Sequence, residues 1–286
     1  MVSEKFPGIS GRQVTVEIGE NVRISTTAKF GSGVTIGNNV IIRAHSHIGT
    51  KSRIEDNTVV GERAALGEHV YLLDASSVGA RSSIGAKSRI ESCDIGERVK
   101  IGTGAKCQYA TIENDVTIGN GFVGLGWFKT TSLVIRPQVV IGDSVHFDGD
   151  IVIGDNRASA KIVVGDGTRV QTKFGGQFII ASGVRIGRRC VIESGVRGGA
   201  LGLSVTIGDN VQLCGVFVHD GAHVGSGTEV TDAIVGKRAI IGKRVIVSPT
   251  ANIPENWRIA DGMIANPNPD RKAGYPILIA GTPPRT

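Results

Sequence analysis

Every sixth residue from Ile18 to Ile90 is apolar, thirteen positions without a miss. In a chain that is 40% hydrophobic, such a run arises by chance about once in a hundred thousand trials, so the period is a property of the fold. Six is not a helical period; it fits a short strand followed by a tight corner. The residue two before each apolar position, from Val16 to Ser88, is always Ser, Thr, Ala or Val. Positions two apart on a strand share a face, so the small and the aliphatic residue point inward together. Glycine follows eight of the thirteen apolar residues and relieves the corner. With 41 glycines and only 5% aromatic residues, the core must be aliphatic and thin.

Three hexads make a triangular coil, and stacked coils make a parallel β-helix. On these residues the chain resembles the hexapeptide-repeat superfamily. That resemblance implies an all-β, left-handed parallel β-helix with three hexads per turn and a Pro-rich C-terminal cap. The expected layout is an N-terminal cap over 1–13, about 13 coils over 14–259, and a tail or cap over 260–286. The frame slips by one residue after Ile90 and again after Cys107. Larger departures lie between 119 and 207, in the stretches 119–134 (with Phe122, Trp127 and Phe128), 155–162, 171–178 and 194–204. Loops on a rigid scaffold favour ligand sites, so these are candidates for binding. Seven of the nine prolines lie at or after Pro249; proline cannot donate to a strand ladder, so this segment should leave the solenoid.

The net charge is +6, and residues 161–286 supply all of it, with 15 Lys/Arg against 9 Asp/Glu. An anionic ligand is expected there. The opening "MVSEKFPGIS" is neither long nor apolar enough for a signal peptide or a span, which predicts a cytoplasmic chain without a membrane partner. No C-x-x-C spacing occurs, and Cys93, Cys107 and Cys190 fall on inward positions, so they read as core. Basic and aromatic residues do not interleave, which argues against nucleic acid.

The commonest activity of the resembled superfamily is acyl transfer from acyl-CoA or acyl carrier protein to an amine or hydroxyl. A histidine serves as general base in a groove between subunits of a homotrimer. The stretch "VTIGDNVQLCGVFVHDGAHVG" (205–225) resembles the acyltransferases that begin lipid A synthesis. Carried over, His219 is the base and Asp220 its neighbour, although His219 stands one residue out of the family's phase relative to Gly225. His146, near the irregular region, is the second candidate base. Arg188, Arg189, Lys237, Arg238, Lys243 and Arg244 are the candidate ligands for CoA phosphates, since cations make strong charge-assisted bonds to phosphate. The acceptor that this resemblance implies is a small molecule, such as a sugar nucleotide.

Two other readings follow from the residues. The stretch from "IVGKRAIIGKRVIVSPTANIP" to "DRKAGYPILIA" resembles the β-helix domain of ADP-glucose pyrophosphorylase-like sugar nucleotidylyltransferases. Their "GxGxRL" catalytic half has no counterpart, which leaves a scaffold or regulatory subunit as the alternative. The hexapeptide-repeat γ-class carbonic anhydrases pair two zinc ligands as H-x4-H. Here His219 and His223 are H-x3-H, so no metal is expected.

Overall fold

The computed structural model describes residues 1–126, 133–155, 160–173 and 176–265. These residues form short strands and corners and no helix. Two compact units divide the chain, Met1–Val139 and Val140–Thr286, and both are built from the same three-walled coil. The architecture is a parallel β-solenoid of about 13 coils in total, consistent with a left-handed β-helix.

In the first unit the chain enters wall 1 at Arg23–Ile24, turns onto wall 2 at Lys29–Phe30 and onto wall 3 at Thr35–Ile36. It then returns to wall 1 at Ile41–Ile42, which pairs in parallel with Arg23–Ile24. Every third hexad therefore stacks. Wall 2 runs Lys29–Phe30, His47–Ile48, Ala65–Leu66, Ser83–Ile84, Lys100–Ile101 and Thr117–Ile118. The aliphatic residues project inward in columns and are almost wholly buried, as Ile36, Ile54, Leu72 and Ile90 show. Val2–Pro7 departs from the coil and pairs antiparallel with Gln13–Ile18. Its Phe6 ring lies 5.2 Å from that of Phe30, over the first coil's core.

Most corners hold one residue in the left-handed region, and the corner after Leu73 holds two, Asp74 and Ala75. Asn39, Asn57, Lys51 and Arg63 all take φ near +55°, and asparagine tolerates that conformation best among non-glycine residues. The Asn21, Asn39 and Asn57 amides bond in a ladder at 3.3 Å spacings. Glycine is required where coils touch: a Cβ on Gly49 would lie 2.3 Å from the Gly67 carbonyl oxygen. Inward hydroxyls close the remaining backbone bonds. Thr228 Oγ1 donates to the Gly242 carbonyl at 2.8 Å and accepts from the Val245 amide at 3.2 Å. Ser82 does the same between Gly96 and Val99.

The frame slips have one cause. After Arg89–Glu91 and Lys106–Gln108 the strand on wall 3 runs one residue longer and the 3/1 corner is shorter, with Ser92 and Tyr109 alone in the left-handed region. The second unit repeats this at Gly215 and Asp232. Part of the expected irregularity near 119 is regular. Phe122 occupies the small inward position and is fully buried, while Gly124 takes the aliphatic one. A Cβ on Gly124 would meet the Phe122 ring at 2.7 Å, so the large ring fills the space that glycine leaves. Phe178 and Gly199 make the same exchange across neighbouring coils of the second unit.

In that unit wall 1 runs Ile151–Ile153, Phe178–Ile180, Gly199–Leu201, Phe217–Val218, Ile234–Val235 and Asn252–Ile253. The departure at 194–198 is a small hairpin closed by mutual Gly195–Gly198 backbone bonds, with Val196 77% exposed at its tip. Coils continue to Ile264–Ala265, past the expected boundary at 259. Trp127, Phe128 and the prolines from Pro267 onward lie outside the described residues, as does most of the expected cap.

Candidate functional site

His219 ends a strand of wall 1 in the second unit, directly after Val218 and before the 1/2 corner. Its backbone bonds are ordinary: the amide donates to Val235 O at 2.9 Å, and its carbonyl accepts from the Ala222 amide at 3.2 Å across the turn. The column it belongs to is otherwise small, with Gly202 one coil before and Gly236 one coil after. The exposed imidazole thus stands between two coils that present bare backbone. That leaves both of its faces open, as a base approached by a substrate requires.

The adjacent outward column on wall 1 is apolar. Ile179, Ala200, Phe217 and Ile234 stack in register, and Ile179, Phe217 and Ile234 are about 40% exposed. The equivalent column of the first unit reads Arg23, Ile41, Val59, Ser77, Asp94, Thr111 and Val134, in which polar residues interrupt the apolar ones. The apolar column was legible in the sequence, as the residue before each inward aliphatic one, yet only stacking shows that these residues adjoin. His219 stands at its edge.

Asp220 does not turn toward the imidazole. Its Oδ1 accepts from the Leu203 amide at 2.9 Å, and its Oδ2 lies 3.9 Å from Lys237 Nζ. The first of these bonds recurs at many corners: Asp56 takes the Asn38 amide, Asp209 the Arg188 amide and Asp261 the Lys243 amide. Asp220 is therefore a corner cap that also holds a lysine beside the His219 turn.

The six candidate phosphate ligands fall on two corners, because consecutive hexads occupy different walls. Lys237 and Arg238 share the 1/2 corner with His219, one coil on. Arg238 is engaged there by Glu255 at 2.5 Å and Asn256 at 2.9 Å. Arg188, Arg189, Lys243 and Arg244 share the 2/3 corner, the two pairs three coils apart, or about 14 Å at ~4.8 Å per coil. Arg188 faces Asp209 at 3.7 Å, whereas Arg189, Lys243 and Arg244 make no ion pair among the described residues.

His146 lies apart, on wall 3, half-buried and stacked on Arg169 of the next coil. Its Nε2 is buried without a hydrogen-bond partner. Burial holds its pKa below the ordinary 6.5, the Arg169 guanidinium adds to the lowering, and the Asp148 carboxylate opposes it. The cysteines Cys93, Cys107 and Cys190 are buried. A hydrogen bond with Cys93, together with burial, pushes the Cys107 thiol up, so it stays protonated. Among the described residues no group of three His, Cys, Asp or Glu side chains could hold a metal ion. No helix of those residues is long and apolar enough to cross a membrane.

Fold and corner chemistry together define a hexapeptide-repeat β-solenoid. A family model, the GMPPB C-terminal domain, matches residues 15–123, within the first unit. The nucleotidylyltransferase resemblance read in the sequence lies at the other end, from Ile234 onward. No curated protein matches the chain. Among solved structures, LpxA from Acinetobacter baumannii is similar at 18% identity and a TM-score of 0.23, over 61% of this chain and 66% of its own length. The UDP-N-acetylglucosamine acyltransferase of Arabidopsis is similar at 20% identity and a TM-score of 0.24, over 87% and 68%. A variant of the N-acyltransferase AntD from Bacillus cereus, in complex with dTDP and coenzyme A, is similar at 19% identity and a TM-score of 0.23, over 47% and 74%. The chain spans about two thirds of the length of the first of these.

Proposed function

We propose that the chain is a cytoplasmic, homotrimeric acyltransferase that moves an acyl group from acyl-CoA to an amine or hydroxyl of a small acceptor. The observation that carries this reading is an exposed histidine between two glycines, at the edge of an apolar wall. Ile179, Phe217 and Ile234 would be covered by a neighbouring subunit, and His219 would then line the groove between the two. His219 removes the proton as the acceptor attacks the thioester carbonyl. The new C–N or C–O bond forms, the C–S bond breaks, and the proton passes to the departing CoA thiolate. Thioester and phosphates lie at opposite ends of CoA. A base on one corner and the cations Arg189, Lys243 and Arg244 on the next suit that separation, while Lys237 and Arg238 face the near part of the ligand. His146, with an unfilled Nε2 on wall 3, is the second candidate base and belongs to a different site.

The test is calorimetric titration with CoA and acetyl-CoA, joined to a thiol-release assay over a panel of amines and hydroxyl acceptors. His219→Ala should keep CoA binding and lose turnover by about 100-fold or more. Lys243→Ala should weaken binding by about tenfold, the worth of one charged hydrogen bond. No heat at millimolar ligand would sink the enzyme reading. It would favour the second one, a scaffold or regulatory subunit related to sugar nucleotidylyltransferases. The family match over 15–123 and the near-unbroken coils of the first unit support that alternative.

A further inference from the structure

Residues 1–160 carry as many acidic as basic side chains, so their sequence gives no sign of a charged surface. Folding separates them. In the first unit Lys29 and Lys100 project from wall 2, Arg43 and Arg81 stand on its 1/2 corner, and Lys51 and Lys87 on its 2/3 corner. All six are exposed, and none makes an ion pair among the described residues. The carboxylates on the same wall and corners are mostly occupied. Glu62 faces Arg63 at 3.3 Å, and Glu97 and Asp115 bracket Arg98 at 3.1 and 2.6 Å. Glu113 faces Arg136 at 3.4 Å, which leaves Glu68 alone. Other acidic residues of the unit, among them Glu17, Glu55, Asp56, Asp74 and Glu91, lie on wall 3 or its 3/1 corner.

Between the two cationic edges the wall is flat and plain. Its outward strand residues are Lys29, His47, Ala65, Ser83, Lys100 and Thr117, none of them a large aliphatic. Arg81 and Lys87 are six residues apart along one coil, so the edges lie at most about 20 Å from each other. We propose that wall 2 of the first unit is a docking face for an anionic lipid surface. Flatness and charge select that occupant. A planar headgroup layer meets both edges and the centre at once. A nucleic-acid duplex is a cylinder and meets a flat wall along one line, and a single strand would find only the small imidazole rings of His45, His47 and His69, within one coil, and no Phe, Tyr or Trp to stack on. Nothing apolar projects to be inserted, so the attachment is electrostatic, reversible and screened by salt. This departs from the expectation of no membrane partner, which rested on the lack of an apolar span. It does not depend on His219 or on acyl transfer.

The experiment is co-sedimentation of the full chain with phosphatidylcholine vesicles, with and without about 30% phosphatidylserine, at about 50 and 500 mM salt. Binding is expected only with phosphatidylserine and only at the lower salt. A basic residue near such a surface contributes about fivefold in partitioning. The double variant Arg81→Asn, Lys87→Asn should therefore bind about 25-fold less, and asparagine suits the left-handed φ at both sites. The strand variant Lys29→Gln, Lys100→Gln should lose a similar factor, which guards against a corner that fails to fold. Lys106→Gln, on wall 3, should change binding by no more than twofold or so. No binding at low salt, an equal loss in the Lys106 variant, or tighter retention on duplex DNA than on the vesicles would overturn the proposal.

Discussion

Thr228→Val tests the inward hydroxyls most directly, because it exchanges a hydroxyl for a methyl group at nearly constant volume. The Thr228 side chain is fully buried, accepts from the Val245 amide at 3.2 Å and donates to the Gly242 carbonyl at 2.8 Å. Valine is sterically at home there, since Val211 and Val245 hold the matching position one coil before and one coil after. The substitution leaves the Val245 N–H buried without a partner, at a cost of about 1–3 kcal/mol. Burying the added methyl returns about 0.8 kcal/mol. The net expectation is a loss centred on about 1 kcal/mol and reaching at most about 2 kcal/mol, read as a lower urea midpoint by far-ultraviolet circular dichroism. The loss should be local, because coils in a solenoid touch only their neighbours. Amide exchange at Val245 should therefore accelerate by about fivefold, and by about 30-fold at most, while Val34 in the first unit stays as protected as before. Thr228→Ser keeps the hydroxyl and should preserve the Val245 protection. Equal stability and unchanged exchange in the valine variant would refute the relay. The corner amide would then be satisfied without the side chain.

Gly225→Ala places a Cβ 2.5 Å from the Gly242 carbonyl carbon and oxygen, so the two coils must separate. It should cost about 1–3 kcal/mol in urea denaturation, and a neutral result would show that the coils can slide apart freely. The lowered His146 pKa has a definite sign. Between that lowered value and 6.5 the unfolded chain binds more protons than the folded one, so stability falls as pH drops through this window. His146→Gln should flatten the fall in urea midpoint between pH 7 and pH 5; identical slopes in both proteins would contradict this.

Much of the fold was legible because each hexad carries its own instructions. The inward aliphatic at Ile36 or Val224, the small residue two before it and the glycine after it describe one strand and one corner locally. The candidate base was legible as well, since His219 takes a glycine's place and breaks the pattern. Asp220 was not. A carboxylate beside a histidine in sequence looks like a pair, but a strand's end sends neighbouring side chains to different coils. Asp220 reaches the Leu203 amide, 17 residues away.

The hexad period by itself determined the strand length, the buried columns and the three-walled coil, since these depend only on neighbours in the chain. Stacking decided what the walls carry. In the regular coils residues 17 or 18 apart meet, an interval set by the corner lengths at Ser92, Tyr109, Gly215 and Asp232, and between 111 and 214 the paired residues are 21 to 27 apart. So Lys237 and Lys243, six residues apart, part to different corners, while Ile179, Phe217 and Ile234 gather beside His219. A charge-balanced stretch of chain likewise becomes a prism with one cationic side, because every third hexad shares a wall and the sequence order of charges is sorted threefold on folding.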